Sequence, residues 1–376
     1  MNYEQEPLHI NTAFVNHCSC GHLDLAELCI NKAGVDVNAR HEMTDETGLM
    51  AACQGGNIKI VSYLLEKGAD VNAKQRCPLW KGSTALMKAS EKGNAEVVKI
   101  LLEKGAYVNI ADQKGKTPLI YAMKAVSEVV VKMLLDKGAN VNQMNKYCDS
   151  ALIDACYRNN TKIVKMLVEK GVNVNVTDCE EGLTPLHIAS GRGNTELVKI
   201  FIDNGMVVDA CTDEEFVTAL MLASERGHTE TVSLLLEKGA DVNAKSNEGS
   251  TALMKATAYG HTETVSLLLE KGADVNEKEN SGETALHSLI YLDWYDHIDI
   301  ISMLLEKGVD VSAKSNSGKT ALMLASEYGQ PDIVTLIKNH INKMVYLVIK
   351  KGRTKDETHL VTHAHKDIFY VIASFF

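Results

Sequence analysis

Six residues near the start of the chain combine the side chains that bind zinc. They read His17-Cys18-Ser19-Cys20-Gly21-His22. Cysteine and histidine are preferred ligands of Zn²⁺, and structural zinc sites usually join two such pairs from separate parts of a chain. No Cys-x-x-Cys pair follows elsewhere in the chain to complete such a site. We therefore interpret these residues as structural and predict no metal site.

Motifs for catalysis are missing from the sequence. It contains no phosphate-binding glycine-rich loop, no nucleophile elbow and no paired carboxylates in a cleft-forming context. Acidic runs such as Asp213-Glu214-Glu215 are typical of solvated loop tips. We therefore predict that the protein is not an enzyme and that it requires no cofactor.

A column of cationic residues is suited to binding. Arg158, Arg192 and Arg226 each follow a recurring Thr or Ser by eight residues, and Lys92, Ala125 and Tyr259 hold the same position in other segments. The planar guanidinium of arginine grips carboxylates and phosphates, so the column predicts a partner with an acidic or phosphorylated surface. The alternative is local, because a cation at a helix C-terminus interacts favourably with the helix dipole by about 0.3–1 kcal/mol.

Aromatic residues complete the set of candidate contacts. Some adjoin or share the arginine column, and the others lie in insertions; they are Trp80, Tyr157, Tyr259, Trp294, Tyr295 and Tyr328. Tryptophan and tyrosine are common anchors in protein interfaces. An aromatic side chain in an insertion can equally pack under its own loop.

The elements that position these residues recur with a period of 33 residues. Residues 218–250 read TALMLASERGHTETVSLLLEKGADVNAKSNEGS, and residues 251–283 read TALMKATAYGHTETVSLLLEKGADVNEKENSGE. A fixed period of this size is typical of a solenoid, in which each unit covers the apolar face of its neighbour. The ten repeats begin near Thr12, Thr47, Thr84, Thr117, Ser150, Thr184, Thr218, Thr251, Thr284 and Thr320.

The sequence pattern of each repeat predicts two short helices followed by an extended loop. The hydroxyl of Thr251 can cap the first helix of its repeat, and Gly260 supplies the left-handed residue that ends this helix. Val265 and Leu268 then repeat at helical spacing on the second helix, which ends at Gly272. The spacing alone therefore predicts a helix pair and a projecting loop.

The repeat resembles the ankyrin repeat in its Thr-Ala-Leu start, its Gly-His break and its Gly-Ala-Asp-Val-Asn exit. The resemblance implies an all-α fold, an ankyrin-repeat solenoid of stacked helix pairs with projecting β-hairpin loops. It also implies that the first helices and hairpin tips line a concave face, with the second helices forming the back. His187 and His287 occupy a slot that, in this family, makes structural hydrogen bonds between repeats.

Two repeats lack the glycine that ends the first helix. Val126 and Asn159 stand in its place. Asparagine tolerates the left-handed conformation, whereas a β-branched residue does so poorly. We therefore expect a shifted turn around Lys124–Ser127.

The chain divides into a leader over residues 1–11, a repeat array over 12–338 and an atypical C-terminal segment over 339–376. The last segment contains several lysines and ends in the apolar run Ile368–Phe376. We interpret it as a cap or truncated repeat that covers the last helix pair, since terminal repeats are commonly atypical. The alternative is a segment that docks onto a second complex or a membrane surface.

Composition limits the partners. The net charge of −10, from 39 cationic and 49 acidic residues, argues against binding to nucleic acid or to an anionic membrane. The apolar runs are too short for an integral membrane segment, and the N-terminus has no secretory signal pattern. Nine cysteines, several at buried positions such as Cys53 and Cys156, favour reduced thiols in a cytoplasmic protein. We expect a monomer whose partner is another protein.

The two near-identical repeats differ in the first helix and the loop, whereas their second helices are identical. Neutral drift after a duplication explains this pattern, and so does a binding surface that has been retuned. The leading hypothesis is a noncatalytic scaffold that binds a partner protein through the concave face of the array. The alternative is an adaptor or secreted effector that uses residues 339–376 to dock.

Overall fold

Twenty α-helices, arranged in ten consecutive pairs, make up the part of the chain that the computed structural model describes, namely residues 6–147, 150–291 and 297–351. The first helices of the pairs are α1 (Glu6–Cys20), α3 (Gly48–Gly55), α5 (Ala85–Lys92), α7 (Pro118–Ala125), α9 (Ala151–Tyr157), α11 (Pro185–Gly191), α13 (Ala219–Glu225), α15 (Ala252–Ala258), α17 (Ala285–Ile290) and α19 (Ala321–Glu327). The second helices are α2 (Leu23–Asn31), α4 (Ile58–Glu66), α6 (Ala95–Glu103), α8 (Glu128–Asp136), α10 (Thr161–Glu169), α12 (Thr195–Asp203), α14 (Thr229–Glu237), α16 (Thr262–Glu270), α18 (Ile298–Glu306) and α20 (Pro331–Lys351).

The pairs form two compact units, one ending at Pro185 and the other beginning at Leu186. In the first unit, α1, α3, α5, α7 and α9 pack side by side, and so do α2, α4, α6, α8 and α10. In the second unit, α13, α15, α17 and α19 form one row, and α12, α14, α16, α18 and α20 form the other. The predicted stacking of helix pairs is confirmed within each unit.

Hydroxyl side chains begin most of the first helices, as predicted. Seven of them accept a hydrogen bond of 3.2–3.4 Å from the backbone N–H three residues later; they are Thr47, Thr84, Thr117, Ser150, Thr218, Thr251 and Thr320. Each bond satisfies one of the N–H groups that a helix start leaves without a partner. Thr12 differs, because α1 begins at Glu6 and includes it. The Oγ1 atom of Thr12 instead accepts the N–H of Glu42 at 3.2 Å.

The core of each pair consists of small and branched side chains. On the first helices, Ala89 and Ala122 are fully buried, which allows close helix packing. On the second helices, the apolar stripe predicted by the spacing is buried, as at Val98 and Leu101 of α6. Burial of each such side chain stabilises the fold by about 1.5–3 kcal/mol.

The expected shift of the turn after α7 is wrong. Helix α7 ends at Ala125, and Val126 itself adopts the left-handed conformation with φ of +52°. Asn159 does the same with φ of +54°, and Gly93 has φ of +71° at the equivalent position. The helices on either side fix the turn, so the frame overrides the local preference of valine, which costs about 1–2 kcal/mol.

At both ends of the array a helix crosses the predicted domain boundary. Helix α1 begins at Glu6 and thus includes part of the predicted leader 1–11. Helix α20 runs from Pro331 to Lys351, so the predicted boundary at 338 lies inside it. Of the C-terminal segment 339–376 that we predicted to be a cap or truncated repeat, residues 352–376 lie outside the described residues. In the described part of the chain, no helix is both long enough and apolar enough to cross a membrane.

The loops between pairs contain isolated antiparallel bridges, for example between Arg40 and Thr47 and between Cys211 and Thr218.

The cysteines only partly follow the expectation of reduced thiols. Cys53 and Cys156 are free and buried as predicted, and burial raises the pKa of both thiols. Cys179, however, is disulfide-bonded, so the expectation of reduced thiols is wrong at this position.

Candidate interaction surface

The three arginines of the column occupy equivalent places at the ends of first helices. Arg158 and Arg226 are the C-cap residues of α9 and α13, and Arg192 directly follows α11. All three side chains are exposed. Among the described residues, none of the three has a carboxylate partner. Their position agrees with the helix-dipole interpretation, and their unpaired charge leaves them available to a partner.

The tyrosines beside the column differ in how firmly their own chain holds them. The hydroxyl of Tyr157 donates to the carboxylate of Asp178. Burial and this hydrogen bond raise the pKa of Tyr157. Burial alone would raise the pKa of Asp178, but the hydrogen bonds from Tyr157 and from backbone N–H groups hold it below its usual value. Tyr157 therefore stabilises the loop that contains Asp178, and part of its side chain remains exposed beside the arginine column.

Tyr259 and Tyr328 are more open. Tyr259 is exposed and stacks on His261, with ring centroids 6.3 Å apart and an interplanar angle of 9°. Tyr328 is exposed and meets Tyr291 edge to face, with centroids 5.8 Å apart. The hydrogen bond to Glu283, together with burial, raises the pKa of Tyr291 to about 12. Each open tyrosine is thus pre-oriented by one neighbouring ring.

Trp80 lies on a closed loop in the insertion before α5. The N–H of Gln75 donates to the carbonyl of Ser83 at 2.9 Å, and the N–H of Ser83 donates to that of Trp80 at 2.9 Å. The indole remains 45% exposed, and Lys88 Nζ lies 5.8 Å from the ring centroid. Trp80 is therefore partly buried by its own loop and partly exposed. Trp294 and Tyr295 lie outside the described residues.

A groove of about 940 Å³ joins Trp80 and Arg158 within the first unit. All of its lining residues belong to α3, α5, α7 and α9 or their ends, or to the loops that precede α3, α5 and α7. No second helix contributes a residue to it. The groove therefore lies on the face formed by first helices and loop tips, which we call the inner face.

The groove contains contacts that the sequence did not reveal. Asp112 accepts hydrogen bonds from the Tyr121 hydroxyl and from the backbone N–H groups of Lys114 and Lys116, each at 2.8 Å. Lys88 donates to Gln54 at 3.2 Å and lies 3.5 Å from a Glu46 oxygen. These partners come from different repeats or from opposite sides of a turn, so no periodicity in the sequence points to them.

The histidines are structural, as the resemblance implies. His187 is fully buried, and its Nε2 atom is 3.0 Å from the carbonyl oxygen of Val217 in the next repeat. The ring of His287 bonds to Thr284 and to the carbonyl oxygen of Lys319. Burial lowers the pKa of His287 below its usual value, so the neutral ring is favoured. Both residues connect adjacent repeats.

The His17-to-His22 cluster is divided between core and surface. Cys18 is fully buried, and burial raises the pKa of its thiol to about 12. Cys20 is exposed, and the rings of His17 and His22 are 5.9 Å apart. Among the described residues, no group of three or more His, Cys, Asp and Glu side chains is placed to hold a metal ion.

Comparison with known families gives matches along most of the chain. The family model described as "Ankyrin repeats (3 copies)" matches residues 3–75, 75–145, 152–246, 244–315 and 278–347. A second model, "Ankyrin repeats (many copies)", matches residues 127–168.

Individual relatives are similar over smaller parts. The chain is 34% identical over 70 residues to the Ankyrin repeat and KH domain-containing protein mask-1 of Caenorhabditis elegans. This match covers 19% of the chain and only 2% of the length of that curated relative. Among solved structures, the crystal structure of the human ASB11 ankyrin repeat domain has 26% sequence identity and a TM-score of 0.53. That similarity covers 60% of this chain and 98% of the solved one.

Proposed function

Since this chain belongs to the ankyrin-repeat family, we propose that it is a noncatalytic scaffold that binds another protein through its inner, concave face. Ankyrin repeats are generally protein–protein interaction modules. The observation that carries the proposal is the set of Arg158, Arg192 and Arg226, exposed at equivalent helix ends with no carboxylate partner in the described chain.

The chemistry of these arginines selects the partner. A guanidinium that makes no internal ion pair can form paired hydrogen bonds with a carboxylate or a phosphate. The partner surface that fits is therefore acidic or phosphorylated. Tyr259 and Tyr328 add exposed aromatic area on the same column, and such residues often anchor interfaces.

The remaining parts of the proposal concern state and location. We propose a monomer located in the cytoplasm. Seven free cysteines in the described chain support this location, whereas the disulfide at Cys179 does not. The alternative is docking through the C-terminal segment. Deleting residues 352–376 distinguishes it from binding through the inner face, since this truncation leaves α20 in place.

Replacing Arg158, Arg192 and Arg226 together with alanine should leave folding nearly unchanged and weaken capture of the partner by about tenfold or more. Three charged contacts would be lost, and interface arginines are frequent hot spots. The residual binding should also depend less on salt, because fewer screened charges take part. Affinity capture followed by titration at two salt concentrations measures both effects.

A matched control removes the same charge from the back. Lys99, Lys132 and Lys199 are exposed at equivalent positions of α6, α8 and α12, and no carboxylate pairs with them in the described residues. Their triple alanine variant should bind normally. If the arginine variant loses thermal stability and still binds its partner like wild type, the column is helix capping and the proposal is wrong.

A further inference from the structure

The groove of the first unit reverses the charge balance of the chain. Its lining contains seven cationic side chains and four carboxylates, an excess of three positive charges. The whole chain has the opposite balance, with a net charge of −10. A positive groove in an acidic protein concentrates field lines at one place on the surface.

The four carboxylates of the groove are engaged within the chain. Glu46 lies 3.5 Å from Lys88, and Glu91 pairs with Lys124 at 2.6 Å. Asp112 accepts the three hydrogen bonds described above, and Asp154 has an interaction of its own. Lys88 and Lys124 offset the charges of Glu46 and Glu91, and the net excess of three positive charges in the lining favours an anionic ligand.

Four of the cations are in the opposite situation. Lys81, Lys92, Lys114 and Arg158 are exposed, and in the described part of the chain no carboxylate pairs with their side chains. Lys92 and Arg158 end α5 and α9 and belong to the same repeat column. A ligand that lies along the groove meets these charges one after another.

An apolar patch lies beside these charges, on the loop before α5. Leu79 is 70% exposed and Trp80 is 45% exposed, both on the loop before α5. Gln113 Nε2 donates to the carbonyl of Pro78 at 2.9 Å, which ties this loop to the next one. An apolar side chain of a ligand can pack here without a large change in the loop.

We propose that this groove binds an extended acidic peptide segment of the partner protein, with carboxylates at Lys92 and Arg158 and an apolar side chain at Trp80. This inference rests on the proposed function and names the partner segment for the first unit. Lys92 and Arg158 are two helix-to-helix steps apart, and two steps of about 8–10 Å each correspond to about five or six extended residues. Nucleic acid fits less well, because the protein's net charge of −10 repels a polyanion at long range.

Fluorescence anisotropy of a labelled peptide tests the proposal on the full chain. The probe is a ten-residue peptide in which Glu alternates with Ser around one central Leu, and its matched control has Gln at every Glu position. We expect the Glu peptide to bind at least about tenfold more tightly than the Gln peptide at low salt, where exposed charge pairs are least screened.

Two variants of equal charge locate the site. Lys92→Gln with Arg158→Gln should weaken binding of the Glu peptide about tenfold. Lys99→Gln with Lys132→Gln removes two exposed charges from α6 and α8 of the same unit and should change the affinity less than about twofold. Peptide binding at this loop should change the fluorescence of the Trp80 indole. Trp80→Phe should abolish this change and also reduce the affinity.

Equal affinities for the Glu and Gln peptides would overturn the proposal, as would equal losses in the two double variants, which would indicate unspecific charge attraction. The assay uses no captured partner. A failed capture experiment with the alanine variants would therefore contradict the proposed function, whereas a failed peptide assay contradicts only the assignment of the groove.

Discussion

Replacing Phe201 with alanine should lower the free energy of unfolding by about 3–5 kcal/mol. Phe201 on α12 is fully buried and is among the largest side chains of the core. In seven of the other nine repeats the same position has leucine, as at Leu101, Leu235 and Leu268. Truncation removes the buried ring and leaves a cavity that thin helical layers fill poorly. Urea denaturation followed by circular dichroism measures the loss.

The repeat itself supplies the control. Phe201→Leu introduces the side chain that neighbouring repeats already use and should cost only about 1 kcal/mol. If both variants lost the same stability, the ring would not be packed as the structure places it. A loss below about 1 kcal/mol for Phe201→Ala would contradict the burial of this residue.

Gly227→Ala should lower the free energy of unfolding by about 2–4 kcal/mol, from two sources. Gly227 has φ of +70°, a conformation that strains any residue with a side chain. An added methyl group would also lie 2.5 Å from Nδ1 of His261. That ring bonds to the carbonyl oxygen of Glu225 at 2.8 Å and would have to move. The same denaturation measurement applies.

Gly239→Ala isolates the backbone contribution. Gly239 has φ of +92°, and an added methyl group would meet nothing within 4 Å. This variant should cost about 1–2 kcal/mol, less than Gly227→Ala. The reverse change, Val126→Gly, should gain about 0.5–1 kcal/mol after the larger chain entropy of glycine is subtracted. Equal costs for the two glycine variants would mean that His261 does not connect the repeats.

The order of the helices was predictable because it follows from repetition. A hydroxyl before each first helix, as at Thr84 or Thr320, caps a helix by a local rule that needs no tertiary contact. The period also placed Arg158 and Arg226 at helix ends. The expectation that valine would shift the turn failed at Val126, where packing of the flanking helices determines the backbone. The capping rule failed at Thr12, which lies inside α1 and not before its start.

The groove was harder to predict. Trp80 was identified because it lies in an insertion, but its neighbours were not, since Lys88 and Glu46 meet across repeats. The bonds from Tyr121 to Asp112 and from Tyr157 to Asp178 depend on how each loop folds back onto its helix. Such pairings follow from the three-dimensional path of the loops and leave no periodic signal.

Hydrogen exchange of the full chain, with and without the captured partner, tests the central claim most directly. Binding through the inner face should slow exchange in the loops and at the C-terminal ends of the first helices, including the backbone near Trp80, Arg158, Arg192 and Arg226. The second helices α6, α8 and α12 should exchange as they do without the partner. Slowing confined to second helices, or to residues 339–376, would contradict the account and place the interface on the back or on the C-terminal segment.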